Sequence, residues 1–165
     1  MELLKTILVP VDFSRCSERA LQEALNLAVA SKGMVHLMHV ITSFASEELP
    51  PFVDPNIIYK IEESDMKNLA IDALSKLYDE GQRGGARVAE HPIIRTGKAG
   101  REIVKAAEEI NADLVVIGTI GRSGFERLLA GSTAEYVVRH AKCPVLTMKE
   151  HSPTFVPVKG SDPLH

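Results

Sequence analysis

Residues 113–140 read DLVVIGTIGRSGFERLLAGSTAEYVVRH, and the reading of this stretch decides the fold. Asp113 to Ile117 is a short apolar run dominated by β-branched residues, without polar alternation. That pattern marks a strand covered on both faces, as in a parallel sheet. Gly118, Gly121 and Gly124 follow directly, then Gly131, Ser132 and Thr133 at the start of a helical segment that runs to His140. Glycine just past a strand end lets the backbone approach a ligand with no Cβ in the way. A helix start offers free N–H groups and the positive end of its dipole to an anion. The hydroxyls of Ser132 and Thr133 add donors suited to phosphate oxygens.

Working outward, the same alternation recurs. Lys5 to Val11 (KTILVPV) predicts a first buried strand, followed by a helix with Ala20, Leu21, Ala24, Leu25, Ala28 and Val29 at helical spacing and Gly33 as its stop. Met34 to Ile41 (MVHLMHVI) predicts the second strand. Residues 42–55 hold three prolines and three acidic groups, which predicts a surface loop or lid. The next helix carries Ile58, Ile61, Leu69, Ala70, Ala73, Leu74 and Leu77 on its buried side and ends at the glycines 81, 84 and 85. Arg87 to Arg95 is the third strand, weakened by Pro92, which removes a ladder donor. Ile103, Val104, Ala107 and Ile110 mark the third helix, and Pro144 to Met148 the last strand. Strands separated by helices imply right-handed parallel crossovers and helices on both sheet faces. Ligands then sit beyond the carboxyl ends of the strands, where strand order reverses. Two places qualify: Pro10, Val11 and Asp12 after the first strand, and Gly118 onward after the fourth.

The chain has 165 residues, 45% of them hydrophobic and 25% charged, enough for one domain with a substantial core. Residues 1–150 are read as that domain and 151–165, with three prolines and no periodicity, as a flexible tail. A net charge of −3 without a concentrated block of Lys and Arg argues against nucleic acid as partner. No stretch is long and apolar enough to cross a membrane, and MELLKTILVPVDF lacks the features of a secretory signal. Cys16 and Cys143 form no redox or metal spacing. A cytoplasmic setting is the expectation.

Several chemical readings fail on spacing. Thr96-Gly97-Lys98 would need Gly at 92 and a hydroxyl at 99 to be a Walker loop, but the chain has Pro92 and Ala99. Gly118, Gly121 and Gly124 are spaced wrongly for the dinucleotide turn. His36 and His39 alternate along a strand with no ligand partner and read as packing residues. His140 and Cys143 lack a third orienting group for a catalytic pair. Ser132 and Glu135 could form a capping box, and Asp12 could cap the first helix, with no ligand at all. Arg122 and Arg127 could screen phosphate charge or simply be exposed loop charges. No residue is assigned as catalytic or as a metal ligand.

The spacing Gly118-x2-Gly121-x9-Gly131-Ser132 matches the ATP-binding motif of the universal stress protein family, and the chain resembles that family from residue 4 to about 149. ILVPVDFS at the first strand, HVI at 39–41, DLVVIG at 113–118 and GSTAEYVVRHAKCPVL at 131–146 are similar to family segments in the same order. The resemblance implies a three-layer αβα, doubly wound, Rossmann-like fold of the adenine-nucleotide α-hydrolase-like kind. Its five-stranded parallel sheet would have the order 3-2-1-4-5, with ATP across the carboxyl edge. It places Pro10, Val11 and Asp12 near adenosine and the Val40 backbone at adenine. Gly118 and Gly121 would flank the phosphates, with Gly131, Ser132 and Thr133 holding them; Arg122, by its place inside the glycine loop, is a further nucleotide-binding candidate. Mg or Mn bridging the phosphates is expected because it would offset their charge. Many members carry Ser-His where this chain has Thr119-Ile120, which leaves the polar detail open at that point.

The function expected is therefore an ATP-binding regulatory or stress-response module, at most a slow ATPase, with loop 122–130 ordering around the triphosphate. An adenylating enzyme on this fold would carry an SGGxDS or HIGH motif, whereas Val11-Asp12-Phe13-Ser14-Arg15 stands here. A nucleotide-free interaction protein is the other alternative, against which the retained glycines and Ser132 argue. The family also implies a homodimer through the apolar edge strand Val145 to Met148.

Overall fold

The computed structural model describes residues 4–42, 63–119 and 132–151. In chain order the elements are β1 (Thr6–Pro10), α1 (Arg15–Ser31), β2 (Met34–Ile41), α2 (Glu63–Arg83), β3 (Arg87–Val88), β4 (Ile93–Thr96), α3 (Ala99–Glu109), β5 (Leu114–Gly118), α4 (Ser132–His140) and β6 (Val145–Met148). The 42–55 loop beyond Thr42, the glycine loop 120–131 and the tail beyond His151 lie outside the described residues.

The sheet is parallel throughout, in the order β3-β2-β1-β5-β6, with β4 also on β2. This is the expected doubly wound arrangement, with β1 and β5 meeting where the winding reverses. The third position is the one that differs. It is filled by two short strands rather than one, because Val88 stands opposite Val35 and Ile93 opposite Met38. Five steps along the edge therefore match three along β2, and residues 90–92 bulge out between them. Pro92 cannot donate to a ladder, so the break falls on an edge position where that loss is tolerated.

Both sheet faces are covered, which is why β1 reads as unbroken apolar sequence. Ile7 and Val9 face one core with Leu37 of β2, Ala24 of α1 and Leu74 of α2. Leu8 faces the other, with Met38, Ile103 of α3 and Val137 of α4. Ile7, Leu8 and Val9 are fully buried, a contribution of roughly 1.5–3 kcal/mol for each such side chain. At the amino end of the sheet, one Asp113 carboxylate oxygen accepts from the backbone N–H groups of both Lys5 and Thr6, at 2.9 Å each. That contact fastens the start of β5 to the start of β1.

Two helix assignments need correction. Leu69, expected on the buried side of its helix, is 64% exposed, and Val29, the last residue of the apolar spacing in α1, is 52% exposed. On α2 the stripe that reaches the sheet runs through Ala70 and Leu74, one turn apart, and Leu69 falls beside it. The stop of α1 also differs from expectation. Lys32, at φ 57°, takes the left-handed cap conformation, and Gly33 then donates back to the Ala28 carbonyl at 3.0 Å.

Candidate functional site

At the carboxyl edge of the sheet lies a cleft of about 420 Å³, within the roughly 300–1,000 Å³ usual for small-molecule sites. One wall is the turn that leaves β1. Ser14 caps α1: its Oγ accepts from Ser17 N–H at 3.2 Å, and the Ser17 hydroxyl donates to the Ser14 carbonyl at 2.9 Å. Asp12 is not the cap. Its Oδ1 accepts from the backbone N–H of Ser14 at 3.0 Å and from the Ser14 hydroxyl at 2.5 Å, so it holds the capping serine in place. Between them Phe13 sits at φ 62°, a left-handed conformation costing an ordinary residue about 1–2 kcal/mol. Its ring leans on His39, with centroids 5.1 Å apart at 44°.

The opposite wall is made by β5 and the helices over it. Gly118 ends β5, and a Cβ built there would fall 2.7 Å from the Cys16 carbonyl carbon and 2.9 Å from its Cβ. Glycine at 118 thus has a packing reason: it lets the first turn of α1 lie directly against the strand end. Thr119 is buried, with its N–H on the Met148 carbonyl at 2.9 Å. Ala99 and Ile103 in the first turns of α3, Ser132 and Thr133 at the start of α4, and Met66 of α2 also line the cleft. The amino ends of α1, α3 and α4 therefore converge on one space. Each brings free backbone donors and a partial positive charge. Among the described lining residues Asp12 is the one carboxylate and none is Lys or Arg.

The cleft brings together Pro10, Val11, Asp12, Val40, Gly118, Ser132 and Thr133 from four separate elements. Gly121, Arg122 and Gly131 of the same expected set, and Arg127, lie outside the described residues. His39 also lines the cleft, and its Nδ1 is 2.7 Å from the Val11 carbonyl oxygen. Reading it as a packing histidine missed this contact, which depends on the register of β2 against β1.

The ligand-free alternatives fare differently. Ser132 and Glu135 do not form a capping box: Glu135 pairs with Arg139 one turn on, at 2.8 Å, and Ser132 is exposed. His36 is half-buried, and burial lowers its pKa, as suits a packing residue. Burial pushes the Cys143 thiol up, the reverse of what a nucleophile needs, and His140 stacks on Tyr136 at 4.0 Å. Among the described residues no group of three or more His, Cys, Asp or Glu could hold a metal ion, and no helix could cross a membrane.

A model of the Universal stress protein family matches residues 4–149. The chain belongs to that family. Universal stress protein MJ0531 of Methanocaldococcus jannaschii is 34% identical over 148 residues, covering 90% of this chain and 84% of that protein. Universal stress protein UspA from Lactobacillus plantarum superposes with a TM-score of 0.73 at 26% identity, over 88% of this chain and 97% of the other. A universal stress protein crystallised in complex with cAMP matches with a TM-score of 0.60 at 26% identity, over 89% and 98% of the two chains. As a member of the universal stress protein family, the chain shares with these relatives a domain that spans nearly all of its described residues.

Proposed function

We propose that the chain binds an adenine nucleotide, ATP being the expected ligand, along the carboxyl edge of the sheet. The observation that carries this reading is the convergence of three helix amino ends and the open end of β1 on one cleft. Pro10, Val11 and Asp12 would meet the nucleoside and the Val40 backbone the base. Gly118, Ser132 and Thr133 would lie along the phosphates, with Gly121, Arg122 and Gly131 contributed by the loop between them. The solved family member in complex with cAMP supports an adenine nucleotide as the class.

The described cleft lining contains no Lys, so phosphate charge would be met by helix amides and hydroxyls there. Mg or Mn would be held through the phosphates rather than by a preformed protein cage. The one carboxylate of the described lining, Asp12, is engaged with Ser14, whose hydroxyl also caps α1, so the site is suited to gripping a nucleotide more than to turning it over. The chain then acts as a nucleotide-dependent regulatory module of the cytoplasm. Pairing of the β6 edge, Val145–Met148, with a second copy would make it a homodimer, since an open edge strand offers unpaired backbone groups.

The test is to identify by mass spectrometry any nucleotide retained on purification, then to titrate ATP, ADP, AMP and cAMP by calorimetry into wild type and Gly121→Val. Binding of ATP by wild type and its loss in the variant is the expected result. Equal binding by the two removes the phosphate-loop assignment, and failure of every adenine nucleotide to bind wild type removes the nucleotide reading.

A further inference from the structure

The pairing of β1 with β2 stops at Pro10 opposite Met38, and Val11 adds one more bond, its N–H to the Met38 carbonyl at 2.7 Å. Backbone groups alternate sides along a strand. The Met38 carbonyl faces β1, and the Ile41 carbonyl faces β4, where it accepts from Gly97 N–H at 3.0 Å. By that alternation the N–H and C=O of Val40 face the β1 side, just past the point where β1 turns away. One further parallel rung would run from Val40 N–H to the Val11 carbonyl. Among the described residues that rung is not made. The Val11 carbonyl takes the His39 ring at 2.7 Å, and the same ring leans on Phe13.

A carbonyl can only accept, so His39 Nδ1 carries the proton and, in the neutral ring, Nε2 is an acceptor. We infer that His39 is a positioning residue for the nucleotide site: by occupying the Val11 carbonyl, it stops β1 from zipping onto Val40 and leaves the Val40 backbone open to the base. This role rests on the nucleotide reading above. It also gives the half-buried imidazole of His39 a partner at this position of β2. The side chain substitutes for a main-chain donor, and the chain can then turn through the left-handed Phe13 into the α1 cap.

The chemistry of the replacement tests the idea. Asparagine places an amide N–H where Nδ1 lies, glutamine places it one bond further out, near Nε2, and leucine removes it. ATP affinity is expected to fall about tenfold in His39→Leu and in His39→Gln, the worth of one hydrogen bond between the Val40 backbone and the base, and to recover in His39→Asn. Independently of any ligand, ¹⁵N spectra of wild type should show the Nδ1–H tautomer. Amide exchange at Val40 should be fast in wild type and slower in His39→Leu, where the extra rung can close. Wild-type affinity in His39→Leu, no rescue by asparagine in a folded variant, or an Nε2–H tautomer would overturn the assignment. If wild type binds no adenine nucleotide, the nucleotide reading falls and this role with it. The Val40 exchange would then still report whether His39 controls the strand end.

Discussion

Gly118 and Cys16 are in backbone-to-backbone contact, close enough that a Cβ on the first would stand 2.7 Å from the carbonyl carbon of the second. The neighbour is main chain of a helix and cannot swing aside. Gly118→Ala should therefore cost about 1–3 kcal/mol, the range for forced overpacking. Urea denaturation followed by circular dichroism reads it. A midpoint equal to wild type would show that α1 can shift away and that the contact is not a constraint.

Asp12 supports the cap of α1 through Ser14, accepting from both its N–H and its hydroxyl. Asp12→Ala should cost about 1 kcal/mol, comparable to losing a helix cap. Asp12→Asn keeps an acceptor oxygen and should recover part of that loss. Thermal midpoints of the three proteins decide it; an asparagine variant no better than alanine would shift the role to the charge.

Asp113 lies at the far end of the sheet from the cleft, tying β5 to the start of β1. Asp113→Ala leaves the partly buried Thr6 N–H without its acceptor, at a cost of about 1–3 kcal/mol. Nucleotide affinity, measured well below the unfolding transition, should not change. A loss of affinity in the folded variant would mean that the two ends of the sheet are coupled.

His36 is held below its ordinary pKa of 6.5 by burial. The folded state resists the proton that the unfolded chain accepts, so the unfolded state binds more protons and stability rises with pH in that window. The contribution of His36 is complete above the unfolded value and is lost as pH falls through the lower folded value. Denaturation midpoints taken between about pH 7.5 and pH 5.5, on either side of the ordinary histidine value, should fall toward acid. His36→Leu should fall less steeply. Identical slopes for the two proteins would assign the pH dependence to other groups.

The alternation of strands and helices and the layers on both sides of the sheet were legible because each central strand is covered on both faces, whereas the strand order was implied by the family resemblance. Ile7, Leu8 and Val9 cannot alternate with polar residues when helices lie over both sides. Helix faces were less secure, since Val29 and Leu69 fit an apolar period on paper and stand exposed in space. A stripe of given width does not say which of its borders the sheet reaches.

The site divides in the same way. Sequence alone determined that a switch point exists between the ends of β1 and β5, and that Pro10 to Asp12 and Gly118 belong to it, because strand period and glycine position are local properties. Only the tertiary structure decided what these residues do to one another. Gly118 makes room for Cys16, Asp12 braces Ser14 rather than capping the helix itself, and His39 reaches the Val11 carbonyl from the next strand. The physical reason is that these contacts join different elements: helix packing and strand register set their distances, and neither is a property of residue spacing along the chain.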